Sequence, residues 1–171
     1  MLQTERLRLI PQTMANLYST HVYASDPENT RYMINLPNET IEDTMAFLQR
    51  AEREWFQPIP HFYEFAIMLG DTHIGAMSTT RKEEEEVFEL GWILDRRYWG
   101  EGYAFEAATA LVAFTRDELG AKRIIAHCDA ENIRSSHLME KLGMKEVGRT
   151  SDRNNVSSGK VSVELEYALD L

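Results

Sequence analysis

The spacing of apolar and polar positions changes several times along the chain, and each change predicts an element. Thr4–Pro11 alternates as a first strand, and Pro11 ends it because it brings no N–H to a ladder. Gln12 to about Ala24 suits a helix, while Asn29–Asn38 is irregular and carries Pro37 and Asn38. A second helix is predicted from Ile41 to about Phe56, with Thr40 or Asn38 near its start and Pro58 and Pro60 beyond its end. The period then falls to two. Phe62–Leu69, Thr72–Arg81 and Val87–Leu94 read as a meander, joined by a tight turn at Gly70-Asp71 and a charged, solvated loop at Lys82–Glu86. After the glycine-containing loop Arg96–Gly102, helical spacing resumes over Tyr103–Leu119 and closes at Gly120. Lys122–Cys128 reads as a strand and Ile133–Leu142 as a short helix. Lys145–Thr150 and Ser162–Leu169 are the final strands, around a polar loop, Ser151–Lys160, long enough to be mobile or functional.

This order predicts a mixed α/β (α+β) fold: a twisted, mostly antiparallel sheet of six to seven strands, with a central parallel strand–helix–strand crossover and flanking helices. It differs from the regular alternation of a doubly wound dinucleotide fold. The 171 residues suit one domain, 1–171, able to bury a core without staples. No apolar run approaches the ~18 residues of a membrane span, and the N-terminus lacks a secretory pattern. The single cysteine, Cys128, excludes an internal disulfide framework and a multi-cysteine zinc site. A metal-free, cytoplasmic protein is expected. The formal net charge of -10, without a Lys/Arg cluster, argues against nucleic acid. It would favour a cationic substrate by steering, although solubility alone also explains it.

The candidate chemistry lies in Phe88–Ala108, where a strand runs into Arg97-Tyr98-Trp99-Gly100-Glu101-Gly102 and a helix begins at once. Unpaired N–H groups at a helix start form a ready site for a phosphate, and glycines let the backbone approach it closely. A Walker A loop would need Gly-Lys-Ser/Thr, which is absent. A Rossmann fingerprint would need Gly or Ala at position 105, where Phe105 stands. Arg97-x-x-Gly100-x-Gly102 instead resembles the acetyl-CoA pyrophosphate loop of the GNAT (GCN5-related N-acetyltransferase) superfamily. Asn132-Ile-Arg-Ser135 followed by Glu140-Lys-Leu-Gly143 is similar to a second GNAT block. Thr4-Glu-Arg-Leu-Arg-Leu, Gly91-Trp-Ile-Leu94, Tyr98–Ala104 and Val163–Leu169 resemble the ribosomal-protein N-acetyltransferase (RimJ/RimL-like) branch.

The resemblance implies a transferase that moves the acetyl group of acetyl-CoA directly onto a primary amine, either a protein N-terminal α-amine or a small amine such as a polyamine or aminoglycoside. It implies that backbone groups of Ile93 and Leu94 pair with the pantetheine, and that Arg97, Tyr98, Trp99, Gly100, Glu101, Gly102, Tyr103 and Ala104 hold the pyrophosphate. Asn132 is a further cofactor contact, and equally a helix N-cap. Glu89, on the strand entering the site, is the expected base, though an alternating strand with one wet face also produces such a residue. Met139 stands where many relatives carry a tyrosine acid, so Ser135 inherits that role. His127 and Cys128 are adjacent in a strand and point to opposite faces, so they read as a buried structural pair rather than a base and nucleophile. Tyr32, Met33, Trp55, Phe56, Phe62 and Tyr63 are expected around the acceptor site or in the core. A homodimer is implied as well. The alternatives are a non-catalytic acyl-CoA-binding sensor or assembly module and, disfavoured by Phe105, a dinucleotide oxidoreductase.

Overall fold

In the computed structural model, which describes residues 1–171, the meander falls where the alternation puts it. Strands β3 (Phe62–Leu69), β4 (Thr72–Arg81) and β5 (Val87–Leu94) begin and end at the predicted residues. Ahead of them, β1 (Leu2–Gln3) pairs antiparallel with β2 (Leu7–Pro11), and β2 with β3. The predicted first helix starts five residues late. Gln12 still belongs to the sheet through its N–H to the Glu64 carbonyl (2.9 Å), and Met14–Asn16 forms a 3-10 turn before α1 (Leu17–Ala24). Helix α2 (Ile41–Glu54) opens on a capping box in which Thr40 and Asp43 satisfy each other's backbone N–H groups. It ends short of Phe56 because Trp55 turns onto the sheet. There its indole N–H donates to the Glu64 carbonyl (3.0 Å) and its ring packs edge-on against Tyr63 and Phe65.

The second half holds α3 (Tyr103–Asp117), β6 (Arg123–Asp129), α4 (Ile133–Lys141), β7 (Lys145–Asn155) and β8 (Lys160–Asp170). Together the strands form one eight-stranded sheet in the order β1-β2-β3-β4-β5-β6-β8-β7, antiparallel except at β5–β6. The polar segment Ser151–Lys160 is not a loop. It continues β7 and β8 to a four-residue turn, because Arg153 and Asn155, themselves buried, find partners in Glu164 and Asp129. The tip of this hairpin is strapped to the irregular N-terminal segment: Val156 N–H bonds Met33 O (3.2 Å), and Ser157 Oγ bonds Pro27 O (3.1 Å).

Alternation sorts the sheet into two faces. Phe65, Ile67, Met77, Leu90, Ile124 and Ala126 belong to the main core, together with Ala107, Ala108 and Leu111 of α3. A smaller cluster, Tyr23, Ala24 and Ala76 with Leu36 and Ile93, forms under α1 on the other face. No helix is long and apolar enough to cross a membrane.

One break in the sheet positions everything that follows. β5 and β6 pair only over Val87–Glu89 with Arg123–Ile125. β5 then runs on to Leu94 bonded to β4, and β6 to Asp129 bonded to β8. The two parallel strands therefore part, and the gap opens toward the N-termini of α3 and α4.

Candidate active site

A cavity of about 1050 Å³ fills this gap. Along its β5 side, the Asp95 N–H bonds Ile74 O across to β4 (2.9 Å). Strand alternation then turns the peptide groups of Ile93 toward β4 and those of Trp92 and Leu94 toward the gap. Of the expected pair, Leu94 thus turns its peptide groups to the gap, while Ile93 lines the cavity with its peptide groups turned to β4, and Trp92 is the other residue whose peptide groups face the gap. The Leu94 carbonyl is already bonded by the Trp99 indole N–H (2.8 Å), so Leu94 offers its N–H.

At the open end, Gly100 and Gly102 have φ of +86° and +82°, a left-handed backbone that side-chain-bearing residues adopt only with strain. They bend the chain so that α3 begins at Gly102 with no side chain capping its first amides. Those N–H groups face the cavity beside Tyr98, Trp99, Tyr103 and Ala104, and suit an anion. The N-terminal Thr4-Glu-Arg run holds this turn in place. Glu106 in the first turn of α3 accepts from Thr4 Oγ1 (2.5 Å), Arg6 N (2.8 Å) and Arg6 Nε (2.7 Å), and Arg6 also donates to Glu101 O (3.0 Å).

Two expected contacts fall outside the cavity wall. Arg97 turns away because Asp95, 4% exposed, takes its guanidinium at 2.6 and 3.0 Å. Glu101 also leaves the wall. The wall beside the turn instead draws cations from α4, Arg134 and Lys141, with His137 between them; Arg31, Lys82 and Arg153 are further cations of the lining. The three α4 residues stand at i, i+3 and i+7 and so share one helix face, which the spacing in the sequence would have revealed. Arg134 lies 4.6 Å over the Trp99 ring. Asn132 accepts from Ser135 N (3.4 Å) as the N-cap of α4, and both residues line the cavity. Met139 is fully buried in the core and has no access to it.

Across the gap, Glu89 and His127 stand on the same face. His127 is partly exposed on the cavity wall rather than buried, with Nδ1 2.8 Å from Glu89 Oε1 and Nε2 3.3 Å from Glu166 Oε2. Lys82 Nζ reaches the other Glu89 oxygen at 2.6 Å. Burial pushes the Glu89 carboxyl up, but hydrogen bonds and charge from His127 and Lys82 outweigh it and hold it down to about 2. The Glu89 hydrogen bond in turn raises His127 above its ordinary value, against the opposing effect of burial. A carboxylate so weakly basic is poorly matched to taking a proton from an amine near pKa ~10. This assembly suits a fixed ion pair better than the expected base. Cys128 is buried, and burial lifts its thiol to about 11, which does not suit a nucleophile.

A second cavity of about 670 Å³ lies on the same sheet face, under α1, α2 and the segment Met33–Asn38. Gly91, Trp92 and Ile93 border both cavities, so the two meet across β5. At Gly91 an added Cβ would stand 3.0 Å from Ser78 Oγ, so the bare backbone keeps this border open. Directly across β4 from Gly91, Ser78 pairs with Glu64 of β3, whose side chain lines the second cavity. Burial pushes the Glu64 carboxyl up; Ser78 and the Arg50 charge pull it only part of the way back, to about 7. Sequence reasoning passed over Glu64 as one acid in an aromatic strand. No local signal marks it, since its environment comes from α2.

The model of the acetyltransferase (GNAT) domain matches residues 6–145. The N-acetyltransferase YnaD of Bacillus subtilis (strain 168) is 30% identical over 149 residues, covering 85% of this chain and 82% of its own. The crystal structure of a GNAT-family acetyltransferase from Bacillus anthracis superposes with a TM-score of 0.85 at 26% identity, over 99% of this chain and 97% of that one. RimL, a ribosomal L7/L12 α-N-protein acetyltransferase solved with coenzyme A, has the same fold, with a TM-score of 0.85 at 15% identity over 98% and 96% of the two chains.

Proposed function

The chain belongs to the GNAT acetyltransferase family and is an acetyl-CoA-dependent acyltransferase, and we propose that it acetylates the nitrogen of a small primary amine. The observation that carries the choice of acceptor is the second cavity. At about 670 Å³, and bordered by α1, by Met33–Asn38, by α2 and by the sheet, it has the size of a small-molecule site.

Acetyl-CoA binds in the gap between β5 and β6. Its pantetheine bonds the outward N–H groups of Trp92 and Leu94, as an added strand would. The pyrophosphate rests on the free amides at Gly102–Ala104, and Arg134 and Lys141 supply the opposing charge. This threading puts the thioester beside Ile93 and Ser135, where the second cavity meets the first. The amine enters there, attacks the carbonyl carbon and forms a tetrahedral oxyanion that an outward β5 N–H stabilises. Collapse expels the thiolate, which takes a proton from Ser135 or from water. Glu89 holds His127 in place and stays ionised throughout. The transfer is direct, with no acyl-enzyme, in keeping with the inert Cys128.

The test is thiol release from acetyl-CoA against spermidine, an aminoglycoside, an amino acid and a serine-terminated peptide. Turnover with the small amines at a kcat/KM at least about tenfold above that of the peptide is expected. Peptide-only turnover would reverse the acceptor assignment. Coenzyme A binding without turnover on any amine would favour a non-catalytic module.

A further inference from the structure

We propose that Glu64 is the catalytic group that receives the proton of the incoming amine. The assignment rests on the acceptor cavity being where the amine binds. Four features of the structure point to this residue. Glu64 and Asp43 are the acids lining that cavity, and Asp43 is consumed by the cap of α2, where its Oδ2 holds Thr40 N at 3.0 Å and Thr40 Oγ1 at 2.9 Å. Glu64 forms no salt bridge, whereas Glu89 is held by both Lys82 and His127. The sheet register puts Glu64, Ser78 and Gly91 in one row, so the carboxyl reaches over a serine toward the open border at β5. With strands about 4.8 Å apart, the row spans roughly 10 Å between outer Cα positions, which an extended Glu side chain and one amine nitrogen or water bridge.

The charged and titratable groups around Glu64 are few. α2 brings Arg50 and Asp43. α1 brings Tyr23, whose hydroxyl burial pushes up well beyond neutral pH. β7 brings Arg153, already bonded to Glu164, Asn155 Oδ1 (3.0 Å) and Tyr32 O (2.7 Å). β5 offers Gly91, Trp92 and Ile93, none of which titrates, with Glu89 two residues back. Arg50 is therefore the counter-charge facing Glu64. A carboxyl near 7 is half ionised at neutral pH and matched to general-base work there, which a carboxyl near 2 is not.

The balance closes without a further reactant. An ammonium gives one N–H proton to the Glu64 carboxylate. The freed lone pair forms the C–N bond, and the carbonyl pair moves to oxygen. When that pair returns, the C–S bond breaks and sulfur leaves with its electrons. The second N–H proton reaches the thiolate through Ser135 or water, and Glu64 returns its proton to solvent.

The experiment compares wild type with Glu64→Gln and Glu64→Asp, using spermidine and kanamycin as acceptors from about pH 5.5 to 9. Wild-type kcat/KM should rise with pH and bend near 7. Glu64→Gln should lose about 100-fold or more and the bend with it, while Glu64→Asp restores part of the rate with a shifted bend. Coenzyme A affinity, by calorimetry, should stay within about twofold in both variants. Glu64→Gln turnover within about threefold of wild type, with the same bend, overturns the assignment. If wild type turns over neither amine, the functional reading falls on its own, and calorimetry of spermidine into the coenzyme A-loaded protein decides the role of Glu64. Binding that disappears in Glu64→Gln supports an ammonium site; equal or absent binding in the two proteins overturns it.

Discussion

The two cavities that meet at β5 are built from different materials. The groove between β5 and β6 is distinguished by its backbone donors: outward amides of a parted strand, the turn at Gly100 and Gly102, and the free first amides of α3, beside the side chains of α4. The cavity under α1 and α2 presents side chains drawn from seven separate segments, with Glu64 and Arg50 as its charges beside Arg153 and Asp43. Backbone geometry serves one invariant ligand and tolerates drift in side-chain identity. A side-chain pocket is respecified by single substitutions. The division suits an enzyme whose acyl donor is fixed and whose acceptor differs between relatives.

The sharpest way to break this comparison is to close the border between the cavities. Gly91→Val puts methyl groups where a Cβ already meets Ser78 Oγ at 3.0 Å. Amine-dependent thiol release should fall by about 100-fold while calorimetric coenzyme A affinity changes by about threefold or less. A parallel loss of both would mean the cavities are one site. Next in size is the anion turn. Gly102→Ala forces a side chain into φ +82°, costing roughly 1–2 kcal/mol in a denaturant melt, and should weaken coenzyme A binding about tenfold.

Glu89 and Glu64 share a sheet face, yet their pKa values are driven in opposite directions, so they divide the pH axis between them. The folded pKa of Glu89 lies below its unfolded value, so its stabilising contribution is present above about pH 4.5 and is lost as pH falls toward 2. That of Glu64 lies above its unfolded value, so its contribution is full below about pH 4.5 and is lost as pH rises through 7. Denaturation midpoints measured against pH should therefore flatten on the acid side in Glu89→Gln and on the neutral side in Glu64→Gln. Turnover in Glu89→Gln should drop by about tenfold at most; a collapse of several thousandfold would restore Glu89 as the base. Ser135→Ala is expected to have the smallest effect, about threefold in kcat, because a thiolate leaves readily without a dedicated acid.

The same contrast governs what the sequence discloses. Strand limits in β3–β5 and the Thr40 cap follow from local alternation and local capping, and the structure has them at those residues. The phosphate-type turn is equally local, a matter of glycine placement before a helix. The hairpin through Ser151–Lys160 was hidden because Arg153 and Asn155 read as solvated, while their partners Asp129 and Glu164 lie on other strands. Arg97 shows the converse: its motif position suggests a ligand contact, and Asp95, two residues earlier, holds its guanidinium. Glu64 and His127 were out of reach because their chemistry depends on neighbours 14 to 39 positions away, among them Arg50, Glu89 and Glu166.

The strap between the β7–β8 turn and residues 27–33 also orders events during synthesis. The Tyr32 carbonyl waits for Arg153, 121 positions later, and Met33 for Val156. β8 then slots between β6 and β7 rather than adding at an edge. A ribosome-bound chain that has exposed residues 1–155 carries the anion turn, but its β6 still lacks β8, the strand that pairs with it beyond Ile125. Its acceptor chamber still lacks a fastened wall. On the nascent chain, the donor gap and the acceptor wall thus both wait for the final strand.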